Sequence, residues 1–439
     1  MKHLVVPLFL LVPLLGGPAW SQQAAPDPAE PPPWLSISLE QRTRLEKLTH
    51  PFRLDEAGPT RLLALRTRLQ VAAQTPLEPL RLYAELEDAR GEWKDEPFPL
   101  EAQHVNQLDV QQLGLQLSSD RWLGSLSTGL QLGRMTLDLG SRRLLARNGM
   151  RNTTNSFDGV SWWLGRPGRF QLLTFFTRPV TLKPRQPDSS SDDLLFWGVD
   201  LELQRWRLVG IDGYYLGVHE GDQTVQRRRY TTLGLRLFKE PAPGAWDYEV
   251  ESDWQLGSDR GRDHLAHFQH AQVGYVLDLP SKPRLCVHFD YASGDQDPDD
   301  DRSGRFNTLY GARRFELNPT GIYGPFYRSN LLTPGLRGVL LPSRRLEVMA
   351  FYRAFWLAEA RDAWVGSGLQ DPTGASGRFL GHQVESRVRF KATSRVGLEL
   401  GYAHLFKGSF LDRVPQSPGT PDSDYLYAAV ELRARLLER

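Results

Sequence analysis

The stretch Tyr425-Leu426-Tyr427-Ala428-Ala429-Val430-Glu431-Leu432-Arg433-Ala434-Arg435 decides the fold. Leu426, Ala428, Val430, Leu432 and Ala434 form one series, opposed by Tyr425, Tyr427, Glu431, Arg433 and Arg435. A period of two places the series on opposite faces of a β-strand. One face is apolar and the other carries charge.

The pattern recurs outward from there. Val396, Leu398, Leu400 and Tyr402 oppose Glu399, and Val384, Val388 and Phe390 oppose Glu385, Arg387 and Arg389. Leu195, Trp197, Val199, Leu201 and Leu203 alternate with Gly198, Asp200, Glu202 and Gln204. Leu285, Val287, Phe289 and Tyr291, and near the start Leu35, Ile37 and Leu39, then Leu63, Leu65, Leu69 and Val71, repeat it. Several runs reach about 10 residues, the length that crosses an outer membrane when tilted. Soluble sheets use shorter strands. Trp246, Trp254 and Trp356 near run ends suit an interfacial girdle.

The chain has 439 residues, 53 basic and 52 acidic, with 45 Arg against 8 Lys and one Cys. No apolar run approaches the ~20 residues of a spanning helix. One thiol excludes an internal disulfide, and balanced charge gives no support for a nucleic-acid binder. Met1-Lys2-His3, the apolar Leu4 to Leu15, and Ala19-Trp20-Ser21 read as a secretory signal cut before Gln22. The competing reading, a buried helix, is broken by Pro7, Pro13 and Gly16-Gly17. Residues 22–33 hold five prolines, an extended linker. Residues 34–439 show no further boundary. At roughly 23 residues per strand and connection, the mature chain predicts an all-β transmembrane antiparallel barrel of about 18 strands in the outer membrane of a double-membraned bacterium.

The blocks Gly133-Arg134, Leu139-Gly140-Ser141 with Arg143-Leu144, Asn152-Thr153 and Phe157-Asp158-Gly159-Val160 stand together. Asp212 to Gly217, Ala292-Ser293-Gly294-Asp295, Tyr352 to Trp356, and Gly401 to Phe406 with Gly408-Ser409-Phe410 follow. Across this length the sequence resembles the alginate export family of outer-membrane barrels. The resemblance implies an Arg-lined lumen that passes an anionic polysaccharide, alginate or a related uronic-acid polymer. It departs from the family at Ser161, where a basic residue is usual, and at Leu437-Glu438-Arg439, which lacks a terminal aromatic.

Arg-x-Arg pairs put both guanidiniums on one strand face: Arg42 and Arg44, Arg66 and Arg68, Arg387 and Arg389, Arg433 and Arg435. Guanidinium matches carboxylate as a planar fork and stays charged. These residues, with Arg134 and Arg353 from the family blocks, are the expected pore lining. In a closed barrel the pairs should form one continuous basic wall, with Glu202, Glu249 and Glu251 across the lumen. The spacing of Asp295, Asp297 and Asp299 invites calcium, but Asp300 and Phe306 replace the required Gly and closing Glu. On a strand His267 points away from His264 and His270, which argues against a metal site. No nucleophile–base pair emerges, so neither an enzyme nor a cofactor is expected. The expected partners are the polysaccharide, outer-membrane lipid and periplasmic secretion components. The alternative is a porin for small anions or sugars, ahead of a structural or adhesion barrel or a barrel enzyme.

Overall fold

A strand with one apolar and one charged face is stable where lipid meets the first and water or partners meet the second. In the computed structural model the chain meets both conditions by closing on itself. The structure describes residues 34–438 apart from 55–57, 76–78, 94–100, 207–208, 222–223, 225–226 and 314–315. The signal segment and the Pro-rich linker lie outside the described residues.

Twenty strands follow one another: β1 (Leu35–Leu48), β2 (Thr60–Gln74), β3 (Leu80–Trp93), β4 (Asn106–Leu123), β5 (Leu126–Met135), β6 (Phe157–Arg166) and β7 (Phe170–Thr181). Then come β8 (Ser189–Ser190), β9 (Leu194–Trp206), β10 (Val209–Glu220), β11 (Arg229–Lys239), β12 (Ala245–Asp259), β13 (Arg262–Val276) and β14 (Arg284–Ala292). The last are β15 (Arg302–Ser303), β16 (Leu331–Ser343), β17 (Leu346–Trp356), β18 (Phe379–Lys391), β19 (Val396–Lys407) and β20 (Ser423–Glu438). The two-residue β8 and β15 only dock on neighbours. The other eighteen pair antiparallel in sequence order, and β1 closes on β20 with Arg42 opposite Glu431. Closure leaves no unpaired edge in lipid.

The faces sort as the alternation requires. Along β14 the exposures run Leu285 59%, Cys286 1%, Val287 61% and His288 1%. Leu398, Leu400, Val430 and Leu432 look outward, while Arg389, Glu251 and Asp253 look inward. Trp246 and Tyr275 pack together at one end of the outer wall, and Trp254 stacks on His267 at the other. His267 does face away from His264 and His270, which are buried on the lumen side.

Connections at the end holding both termini have two to seven residues, whereas the other end carries segments 136–156, 293–330 and 357–378. Outer-membrane barrels place such long loops outside the cell. Here they turn inward and build a hydrophobic core in that half of the lumen. Leu144, Leu145, Phe306, Phe326 and Trp364 from the loops pack with Phe157, Phe196 and Phe355 from the wall. Phe52 stacks on Trp364, and Tyr323 on Tyr425. The lumen is therefore packed at its long-loop end.

Candidate functional site: a loop held across the lumen

Segment 136–156 leaves β5 and crosses the barrel interior. Its turns use positive φ at Gly140 (45°), Arg142 (65°) and Asn148 (59°). At Gly140 a β-carbon would also collide with Asp212 Oδ2, so the backbone lies directly on the wall. The segment pairs with the inward loop 293–330 through Tyr310 N–H to Leu144 O (3.0 Å), Ala146 N–H to Tyr310 O (3.1 Å) and Ala312 N–H to Arg142 O (2.9 Å).

One stretch of it is gripped by the β1–β2 wall through backbone carbonyls. Arg42 donates from Nη1 to Gly149 O (2.6 Å) and from Nη2 to Arg151 O (2.8 Å). Arg66 Nη1 reaches the same two oxygens at 3.1 and 3.2 Å. Arg44 Nη1 takes the intervening carbonyl, Met150 O, at 2.5 Å. Asn152 Nδ2 then donates to the carbonyls of Leu65, Arg90 and His104. Thr154 Oγ1 bridges Arg68 and Glu87.

The other stretch is gripped by side chains on β12. Arg143, 1% exposed, points into a nest of three glutamates. Its Nη1 meets Glu249 (2.5 Å) and Glu251, while Nε (2.9 Å) and Nη2 meet Glu316 of the neighbouring loop. Ser141 Oγ adds a bond to Glu251 (2.9 Å). Burial alone would lower the Arg143 pKa, but Glu249, Glu316 and Glu251 outweigh it and hold it well above the usual value. Burial alone would likewise raise Glu316; Arg143 and Arg328 hold it well below the usual carboxylate range.

All the arginines expected in the lining sit among carboxylates or carbonyls. Arg68 pairs with Glu87 (2.7 Å), Arg66 with Glu40 (3.0 Å), Arg44 with Glu46 (2.7 Å) and Arg433 with Glu431. Arg134 forms a fork on Asp158 (2.7 and 3.0 Å), and Arg353 meets Asp290 (2.7 Å). Arg387 meets Glu347 (2.7 Å) and Arg389 meets Glu399 (2.8 Å), while the exposed Arg435 meets Glu438 (3.0 Å). Arg42 makes no ion pair among the described residues and bonds to carbonyls and Asn152 instead.

Carboxylates interrupt the expected continuous basic wall. Glu40 stands opposite both Arg68 and Arg433 in register, so the seam of β20, β1, β2 and β3 is an alternating ladder of Arg433, Glu40, Arg68 and Glu87. Along this ladder opposite charges face each other, whereas at the next inward rung Arg42 stands opposite Arg66. The acidic side is less compensated. Asp200, Glu202, Asp212, Glu249, Glu251 and Asp253 line β9, β10 and β12. Arg236 reaches Glu249 (2.9 Å) and lies near Asp212 (3.6 Å), and Tyr214 OH donates to Glu251 (2.8 Å) and Asp253 (2.5 Å).

Two acidic clusters are held by cationic side chains. His270, Asp290 and Glu316 offer ligand atoms within 4.8 Å of one another. Arg353 already holds Asp290, and Arg143 and Arg328 hold Glu316, so cationic side chains occupy those carboxylates. In the aspartate loop, Arg262 pairs with Asp295 (3.1 Å) and Arg361 with Asp297 (3.0 Å). Sequence reasoning missed Arg143, Arg236 and Glu316 as parts of the site. It also missed the carbonyls of residues 149–151, which leave no mark on residue type.

Residues 33–420 match the family model described as alginate export. Among solved structures the fold is similar to that of Pseudomonas aeruginosa OpdQ, at TM-score 0.63 and 13% identity over 92% of this chain and 99% of that one. It is similar to OccK9 (OpdG) of the same organism, at TM-score 0.61 and 16% identity over 92% and 98%. It is also similar to the P. aeruginosa outer membrane protein OpdK, at 0.60 and 14% over 91% and 98%. At these identities the likeness is one of fold. A search among curated proteins finds no match.

Proposed function

The chain belongs to the alginate export family, and from that premise we propose that this outer-membrane channel passes an anionic polysaccharide of uronic-acid type. The observation that carries the reading is the Arg42 fork, which holds two carbonyl oxygens in the lumen and makes no ion pair among the described residues. A uronate carboxylate presents the same pair of acceptors with a full charge. Successive guanidiniums, from Arg42 and Arg66 to Arg387, Arg389 and Arg433 nearer the short-turn end, would hand the polymer on through weak, replaceable contacts. Arg134 and Arg353 extend the lining around the barrel, and Glu202, Glu249 and Glu251 set the far side. Residues 1–21 direct export and are removed before Gln22, and periplasmic secretion components deliver the polymer.

Single-channel recording in planar bilayers tests this. Uronate oligomers should interrupt the current, and Arg387→Glu with Arg389→Glu should reduce both anion selectivity and uronate block, most at low salt. Unchanged selectivity in a correctly inserted variant would remove these arginines from the path. The inward loops also suit a porin for small anions or sugars. That reading predicts that monosaccharides block as well as oligomers do.

A further inference from the structure

The acidic half of the lumen is at odds with a permeant that is only an anion. Glu202, Glu249 and Glu251 would repel a bare polyuronate wherever it approached β9 and β12. Glu249 and Glu251 are instead paired with a guanidinium that the crossing loop carries to them, Arg143. The same loop presents carbonyl oxygens to the opposite wall, six to eight residues further on. Loop 136–156 is thus held as a dipolar ligand, its cation on β12 and its acceptors on β1 and β2.

Resting on the channel reading above, we propose that the permeant is an amphoteric glycan, a chain carrying uronate carboxylates together with free amino groups. Such a chain can replace both grips when the loop withdraws. Its carboxylates take the forks of Arg42 and Arg66, and its ammonium groups take the place of Arg143 beside Glu249 and Glu251. A polyuronate replaces only the first grip and leaves buried carboxylates facing it, which is costly in a low-dielectric lumen. Ammonium is a compact donor that fits several carboxylates without the planar geometry a guanidinium demands.

The test compares three oligosaccharides of equal length as blockers of single channels of the full chain: all uronate, all glucosamine, and alternating uronate and glucosamine. The alternating oligomer should half-block at a concentration about tenfold below the uronate oligomer, the equivalent of one added charge-assisted pair. Glu251→Gln should bring that ratio close to one. Glu202→Gln, on the partly exposed part of the same wall, should lower it in a barrel whose loop packing is untouched. Equal or tighter block by the uronate oligomer overturns the proposal, as does a ratio that survives both substitutions. If calcium or sodium added with the uronate oligomer reproduces the alternating oligomer's block, free cations satisfy the acidic wall and the amine is dispensable. Block by uronate alone would leave the channel reading standing without this one; no block by any of the three would remove both.

Discussion

The two walls hold the same loop by different chemistry. On β1 and β2, Arg42, Arg44 and Arg66 bind carbonyls of Gly149, Met150 and Arg151, which any residue would supply. On β12, Glu249 and Glu251 hold two side chains of the loop, the Arg143 guanidinium and, at Glu251, the Ser141 hydroxyl. The first grip is spread over three guanidiniums and tolerates changes in the loop. The second depends on one charged loop residue, Arg143, and on the burial of the charges around it. A backbone grip fixes where a loop lies; a side-chain grip makes its position sensitive to one substitution or one proton.

Arg143→Ala should therefore have the largest effect. It removes the guanidinium paired with Glu251 and leaves Glu249 to Arg236 and Glu316 to Arg328, a loss of about 3–5 kcal/mol for a broken buried charge cluster. Thermal unfolding in detergent should fall accordingly, and single-channel conductance should rise as the loop detaches. A variant with unchanged unfolding and conductance would show that the side-chain grip holds nothing.

Arg42→Met comes next, at about 1–2 kcal/mol, because Arg66 still reaches both carbonyls that Arg42 leaves. The expected readout is a modest fall in unfolding temperature together with weaker uronate block. Equal losses for Arg42→Met and Arg143→Ala would erase the distinction between the walls.

Acid should act on the side-chain grip, because the carbonyls of the other grip do not titrate. Glu316 is held below the usual carboxylate range by Arg143 and Arg328 against the effect of its own burial. A lowered folded pKa stabilises the folded state above the unfolded value of about 4.3 and is lost as pH falls through the folded value. Conductance should stay flat from neutral pH down through that value and increase only in stronger acid. An opening centred near pH 6 would point to a histidine instead.

The smallest effect is expected at Met150→Leu, under about 1 kcal/mol, because the bond to Arg44 comes from the carbonyl and the substitution conserves volume. A loss as large as that of Arg42→Met would mean that the thioether at 3.5 Å from Arg44 matters as much as the backbone.

Much of the barrel was legible because period two is local. Leu398 and Leu400 oppose Glu399 within a few residues, and no distant partner is needed to read which side meets lipid. The arginine pairs were legible for the same reason, since Arg387 and Arg389 share a face by spacing alone. What interrupts them was less visible. Glu40 was readable as a polar residue of β1, yet its place between Arg68 and Arg433 follows from register with β2 and β20, and the latter pairing spans almost the whole chain.

The sequence by itself determined the sidedness of the strands, the closed antiparallel barrel and the abundance of lumenal arginine, because these follow from alternation and residue type. Only the tertiary structure decided what fills the lumen. Arg42 meets Gly149 across 107 positions, Arg143 meets Glu316 across 173, and Ile322 N–H meets Glu46 across 276. The acceptors on one side are peptide carbonyls, common to every residue. A loop crossing a barrel is placed by shape, by distant charge and by its backbone, and none of these has a local period to read.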